Sequence, residues 1–233
     1  MFAVNDRIST TREYSEAIED FLKAVYMIQR GQERVPTSAL AEMLKISPSS
    51  ASEMAKKLAR AHLVEHEPYR GVRLTQGGRR VALEIIRNHR LLELFLVRTL
   101  GYGWDEVHEE AERLEHAVSE RLIQRIAEFL GHPRFDPHGD PIPDPTGDIH
   151  YRDLIPLAEY SPAHTGRVAR LSDQSPEMLR YLAEKGLTVG ATVEVLKADP
   201  FDGPLTLRVN GNEQVIGVNV AQCVLLAPEP ENV

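Results

Sequence analysis

Cysteine is nearly absent from this chain. Cys223 is the only one among 233 residues, which excludes an internal disulfide framework and a cysteine-rich zinc module. A single thiol fits a reducing compartment. No apolar run approaches the roughly 20 residues that a membrane span requires. The first residues do not combine a basic segment with an apolar stretch, as a secretion signal would. A soluble, cytoplasmic protein with no membrane partner is the expectation. There is no internal repeat, no low-complexity tract, no glycine-rich phosphate loop and no nucleophile elbow, so an enzyme is not expected.

Basic charge is scarce overall, with a net charge of −8, an unfavourable sign for a partner rich in phosphate. The distribution changes that picture. Residues 1–80 hold 13 Lys and Arg against 10 Asp and Glu, while the remainder hold 14 against 25. The acid is concentrated away from the N-terminal third, which leaves that third free to meet nucleic acid.

Apolar spacing predicts a helix from Thr10 to Gly31, carrying Tyr14, Ile18, Phe21, Leu22, Val25 and Ile28 inward, with Thr10 and Glu13 as a capping box and Gly31 as its stop. A second helix is expected over Thr37–Leu44, with Ala39, Leu40, Met43 and Leu44 inward. A third runs over Ser49–Ala61, with Ala51, Met54, Ala55 and Leu58 inward. Two short strands follow, Leu63–His66 and Val72–Thr75, joined by a turn at Pro68–Gly71. This order is that of a winged helix-turn-helix. Long helices are expected over Arg79–Leu100 and Asp105–Leu130. Residues 132–156 are rich in proline and read as an irregular, partly mobile boundary. Beyond it, strands near 167–171, 192–196, 205–209 and 223–226, with a helix at Met178–Glu184, suggest a small β-barrel. The fold class is mainly α with small β elements.

The third helix is the natural reading element. Ser47, Ser49, Ser50, Ser52 and Glu53 give its first turn small polar side chains that permit close approach to a groove. Lys56, Lys57 and Arg60 flank it as phosphate contacts, and Arg70 and Arg73 lie on the wing. A capped helix with a solvated charged face is the plainer alternative.

The strongest chemistry lies further on. His108, Glu112, Glu115 and His116 recur at i, i+4, i+7 and i+8, which puts two imidazoles and two carboxylates on one helical face. His89 and Glu93 repeat the pattern at i, i+4 on the preceding helix, and Asp20 stands beside the apolar stripe of the first. Crowded carboxylates raise one another's pKa unless a cation joins them. Oxygen and imidazole donors without thiolate favour Mn²⁺ or Fe²⁺. The plainer alternative is an acidic helix with ordinary i, i+4 pairs.

These segments together resemble the diphtheria-toxin-repressor family of metal-dependent regulators along nearly the whole chain. The resemblance is carried by His89-Arg90-Leu91-Leu92-Glu93, Val107-His108-Glu109-Glu110-Ala111, Leu114-Glu115-His116 and Gly139-Asp140-Pro141-Ile142-Pro143. Ser47-Pro48-Ser49-Ser50-Ala51-Ser52 and Tyr69-Arg70-Gly71 resemble the recognition helix and wing of its manganese-transport branch. The resemblance implies a DNA-binding winged helix-turn-helix over 1–78, a helical metal-binding and dimerisation domain over 79–150, and an SH3-like domain over 157–233.

It also implies a primary site of Asp20, Glu112, Glu115 and His116 and an ancillary site of His89, Glu93 and His108, with Asp173, Gln174 and Glu177 as candidate third-domain ligands. Carboxylates at 20 and 112, where iron-type members carry Met and Cys, remove the preference for Fe²⁺ or Ni²⁺ over Mn²⁺ that sulfur ligands give. Lys23 departs from the two-metal members, which carry a carboxylate at that place, and argues against a closely bridged metal pair. The expected protein is a homodimeric repressor of metal-homeostasis genes that grips an inverted-repeat, double-stranded operator when a metal fixes the angle between its domains, and whose acidic cluster repels when metal-free. An Fe²⁺-responsive regulator is the near alternative. A metal-dependent hydrolase and a protein-binding winged-helix module are the distant ones.

Overall fold

The computed structural model describes residues 14–29 and 32–228. The expected capping box at Thr10 and Glu13 and the stop at Gly31 lie outside them. The first helix, α1 (Glu16–Ile28), starts after Ser15 and buries Phe21, Leu22 and Val25 completely. The second, α2 (Thr37–Met43), buries Leu40 and Ala41. Met43, expected inward, is 51% exposed, because it lies about 60° outside the arc that Leu40, Ala41 and Leu44 turn inward. The third, α3 (Pro48–Arg60), is set by its first residues. Ser47 Oγ accepts from the Ser50 amide at 3.1 Å, and Pro48 takes the first helical position, where its missing N–H costs nothing. Ala51, Ala55 and Leu58 face inward as the spacing predicts.

The wing is an antiparallel pair, β1 (Val64–Glu67) and β2 (Gly71–Leu74), in register Val64 to Leu74. Val35 bonds to Val72 through both backbone groups, at 2.7 and 2.8 Å, and ties the wing to the lead into α2.

Thr75 then caps α4 (Gln76–Phe95), accepting from the Gly78 amide at 3.1 Å. This helix serves two cores. Ala82, Leu83 and Ile86 pack with α1–α3, whereas Leu91, Leu92 and Leu94 pack with Ala111, Ile123, Ile126 and Ala127. A π-turn at Leu96–Leu100 and left-handed Gly101 (φ 73°) end it. The single helix expected over 105–130 is two, α5 (Val107–Leu114) and α6 (Glu120–Phe129). The break has a local cause: Ser119 is extended and its hydroxyl caps α6, accepting from the Leu122 amide at 3.2 Å.

Residues 132–154 are irregular, as expected, but β3 (Ile155–Pro156) takes the last two positions of the segment, and its middle is not loose. Asp136, His138 and Asp140 are buried between α4 and the C-terminal domain. That domain is an antiparallel sheet in the order β3 (Ile155–Pro156), β8 (Val224–Pro228), β4 (Thr165–Leu171), β5 (Thr192–Ala198), β6 (Leu205–Val209), β7 (Asn212–Ile216). Irregular register at Val168/Arg170 and Val195/Lys197 lets it curl. Helices α7 (Pro176–Glu184) and α8 (Val218–Cys223) complete the unit, with Leu179, Leu182 and Ala221 in its core. No described helix is long and apolar enough to cross a membrane.

Candidate metal centre

Two helices distant in sequence meet at the first group of donors. Asp20 and Glu19 project from α1, and Glu115 and His116 from the turn that closes α5. His116 Nε2 lies 2.8 Å from Asp20 Oδ1 and 3.4 Å from Glu115 Oε1, and its Nδ1 lies 2.7 Å from Glu19 Oε2. Burial opposes charge on this imidazole, yet its hydrogen bonds to Asp20 and Glu19 and the charges of Asp20 and Glu115 push it up to about 9. Glu19 was not singled out by the sequence. It occupies the second ring nitrogen of His116, the support that a ligating imidazole ordinarily has.

A second group adjoins the first through Glu115. His89 Nδ1 lies 2.5 Å from Glu115 Oε2, and His89 Nε2 lies 3.0 Å from Glu93 Oε1, one turn along α4. His108 Nδ1 approaches to 3.1 Å from His89 Nε2 and 3.3 Å from Glu93 Oε1. His89 is also pushed up to about 9: burial opposes, but the charge of Glu93 and the bonds to Glu115 and Glu93 prevail. For Glu93, burial favours the neutral acid. The positive charge on His89 and the bonds from His108 and His89 outweigh it and hold the carboxyl far below its usual range.

The structure thus brings together Asp20, Glu115 and His116, and separately His89, Glu93 and His108, with donor atoms of each trio within 4.8 Å of one another. Glu112 does not join the first trio; it groups with His89 and Glu115. Its carboxylate faces Lys23, whose Nζ lies 2.6 Å from Glu112 Oε1 and 2.8 and 3.0 Å from the two oxygens of Glu115. Burial disfavours the ammonium, but Glu115 and Glu112 hold its pKa above the usual lysine value. The metal-free acidic cluster is therefore not simply repulsive, contrary to expectation: an ammonium and two protonated imidazoles offset it.

A third group, Glu93, Asp136 and His138, joins a carboxylate of α4 to two residues of the proline-rich segment. All three are buried, with donor atoms within 4.8 Å of one another. The His138 Nε2–H donates to the Trp104 carbonyl at 2.8 Å. That assignment leaves Nδ1 as a lone pair without a hydrogen-bond partner, 3.9 Å from Glu93 Oε2. Asp136 accepts from the amides of His138 and Asp140, both at 2.9 Å. Its pKa stands well above the usual value, through burial first and then the charges of Glu93 and Asp140, with Arg90 opposing. The candidate third-domain ligands are engaged elsewhere. Gln174 donates to Asp140 at 2.7 Å, Asp173 accepts from Ser175 at 2.7 and 2.9 Å, and exposed Glu177 pairs with Arg180.

The donors fit a hard divalent cation. Each trio is made of carboxylate oxygen and imidazole nitrogen, and no thiol joins any of these groups among the described residues. An orphaned, fully buried imidazole nitrogen and two imidazoles that draw protons near pH 9 are what such a site displays without its cation.

The proposed DNA-reading side chains lie on α3, its N-cap and the wing. Ser47, Ser49, Ser50, Glu53, Lys56, Lys57 and Arg60 are exposed along α3. The Ser47 hydroxyl is 2.8 Å from those of Ser49 and Ser50, and Ser52 donates back to the Pro48 carbonyl at 2.9 Å. On the wing, Arg70 pairs with Glu67 at 2.9 Å and Arg73 forks onto Glu65 at 2.7 and 3.0 Å. The wing arginines are thus already partnered, while Lys56, Lys57 and Arg60 carry the exposed positive charge of α3.

A winged helix-turn-helix fused through one helix to carboxylate–imidazole clusters defines a metal-dependent DNA-binding regulator. Three family descriptions match the chain in succession: iron dependent repressor, N-terminal DNA binding domain, over residues 13–72; iron dependent repressor, metal binding and dimerisation domain, over 75–144; and FeoA domain, over 155–228. An HTH-type transcriptional regulator of Methanocaldococcus jannaschii is 39% identical over 117 residues, 50% of this chain and 94% of that protein. The diphtheria toxin repressor of Corynebacterium glutamicum is 27% identical over 225 residues, 91% of this chain and 96% of that one. A solved manganese-dependent transcriptional repressor in complex with manganese is 44% identical, with a TM-score of 0.81, covering 91% of this chain and 99% of that one. The chain belongs to the diphtheria-toxin-repressor family of metal-dependent transcriptional repressors.

Proposed function

We propose that this repressor responds to Mn²⁺, with the α1–α5 junction as its sensing centre and Asp20, Glu115 and His116 as the ligands there. In this reading His89, Glu93 and His108 form an ancillary site, and Glu112 borders both. Glu93, Asp136 and His138 offer a further buried site. The division into 1–78, 79–150 and 157–233 is part of the same proposal. So are action in the cytoplasm as a homodimer on an inverted-repeat operator, control of metal-homeostasis genes, and the absence of catalysis.

One observation carries the reading: His116, from the metal-binding body, bonds directly to Asp20 and Glu19 on a helix of the DNA-reading head. A bound divalent cation would supply the positive charge that lets these carboxylates stay ionised side by side. Asp20 makes occupancy of the site a property of the position of α1. Glu19 holds the His116 ring so that Nε2 faces the site. Glu115, with its side chain wholly out of solvent, joins the junction to His89. Exposed Lys56, Lys57 and Arg60 meet phosphate, and small Ser49 and Ser50 let α3 approach base edges. Metal and operator then favour one arrangement, so each tightens binding of the other by the same factor.

The sulfur-free donor set lacks the soft ligands that would prefer Fe²⁺, which leaves room for the Mn²⁺ reading. The test is operator binding titrated metal by metal, on the gene's own upstream region and on metal-transporter promoters, for the natural chain and for Glu115→Ala. Stimulation by Mn²⁺ at lower concentration than Fe²⁺, lost in the variant with the helical signal retained, is expected. An unaltered metal response in Glu115→Ala would reject the site.

A further inference from the structure

Among the described residues Lys23 is the one lysine or arginine that touches Glu112 and Glu115, and its expected part was only to oppose a second metal there. It stands on α1 one turn after Asp20. Its stem crosses to α5, and the ammonium touches both Glu112 and Glu115. The side chain is only 16% exposed, so this is not a solvated surface pair of the kind that contributes little. It bonds to two acceptors on a different unit of the chain, and one of them, Glu115, also faces His89 and His116.

We propose that Lys23 is a tethered cation that substitutes for one divalent ion at the α1–α5 junction. Two consequences define the role. The ammonium draws the carboxylates of α5 towards α1 before any metal arrives, so the reading head is seated on the body in the metal-free chain. It also withholds the His89, Glu112 and Glu115 donor set from an exchangeable ion. Those three could hold a cation by spacing alone, but any cation between Glu112 and Glu115 would be in contact with Nζ and repelled by it. The junction is left with one exchangeable cation, at Asp20, Glu115 and His116. This inference rests on the metal reading of the junction. It adds a limit on cation number and a means of holding the metal-free form together.

Geometry separates this role from simple packing. A packing role needs the four-carbon stem; a tethered-cation role needs the charge at its end. Lys23→Met keeps most of the stem and removes the charge, Lys23→Gln removes the charge with a polar end, and Lys23→Arg keeps the charge. Manganese bound per protomer is measured on the full-length protein by equilibrium dialysis and elemental analysis at saturation. Hydrogen exchange of residues 16–28 is measured in the metal-free state.

Lys23→Met and Lys23→Gln should each bind one manganese more than the natural chain, and their metal-free α1 should exchange about tenfold faster or more. Lys23→Arg should match the natural chain in both. Unchanged manganese content in Lys23→Met and Lys23→Gln overturns the proposal, and so does unchanged exchange of α1. If Lys23→Met does not fold, Lys23→Gln and Lys23→Arg decide the matter. Failure of the natural chain itself to bind manganese would instead overturn the metal reading beneath it.

Discussion

The junction between α1 and α5 and the pocket around His138 use the same donor types to different ends. At the junction the donors come from two units, Asp20 and Glu19 from the reading head and Glu115 and His116 from the body. Asp20 is partly exposed there, and Lys23 already spans the gap. Around His138 the donors are enclosed. The His138 carbonyl accepts from the Leu171 amide of β4 at 2.9 Å, and Asp140 receives Arg170 at 2.8 Å and Gln174 at 2.7 Å. Gly139 (φ 88°) lies so close to β4 that a Cβ there would fall 2.0 Å from the Ala169 carbonyl. A cation at the first place would change how two parts of the chain relate. A cation at the second would fasten parts that are already packed together.

Proton competition should break this contrast most visibly if it is wrong. In the metal-free chain His116 and His89 are raised to about 9, and at pH 7 the His116 proton is the one that a cation at the junction must displace. Apparent Mn²⁺ affinity at the junction should therefore rise with pH between 7 and 9, about tenfold per unit for each proton displaced. The same shifts act on metal-free stability with the opposite sign. Their contribution is complete below the unfolded value near 6.5 and is lost as pH rises through about 9, so the metal-free Tm should fall across that interval. Calorimetric titration in buffers of different ionisation enthalpy checks the first, and thermal melts the second. An affinity independent of pH would remove the junction from consideration.

His138→Ala should have a smaller effect on regulation. Loss of one manganese per protomer and a lower Tm in manganese are expected, while stimulation of operator binding by Mn²⁺ stays within about threefold, since a merely fastening site carries little of the coupling. A loss as large as that of Glu115→Ala would erase the distinction between the two places. The smallest effect should come from outside both. Arg60→Ala is expected to weaken operator affinity similarly for all sequences and to reduce the salt slope by about one. The ratio of metal-bound to metal-free affinity should not move in gel shifts at several salt concentrations.

Much of this was legible in the residues. Helical spacing gave α1, α3 and α4, and turn chemistry gave the wing, because in each an apolar stripe must be buried. The i, i+4 pair of His89 and Glu93 could be read the same way. The break between α5 and α6 could not, since Glu115 keeps helical angles (φ −55°, ψ −30°) after the helix proper has ended. The spacing of His108 to His116 thus runs on unbroken, and only Ser119 hints at the new start. Glu19 was hidden because neighbouring carboxylates on a helix give no clue to which faces a distant partner. His138 was hidden more deeply, for an irregular segment has no periodicity from which to infer burial. Lys23 was legible as a charge in conflict with a second metal, but not as a bridge to Glu112 and Glu115. β7 turns only Ile216 inward, so it shows no alternation to read, and α8 has too few residues for a pattern.

The start of α4 has a consequence for how any signal leaves this protein. A methyl group at Gly78 would lie 1.9 Å from the carbonyl oxygen of Leu63, the residue leading into β1. The root of the long helix and the wing are thus in backbone contact, and the same helix then runs on into the second core. Such a joint works as a rigid crank. In the proposed reading, motion begun at a metal would not be absorbed by flexing at that root and would reach the operator as a change in the gap between two recognition helices, in the way that calipers report a small turn at the pivot as a wider span at the tips.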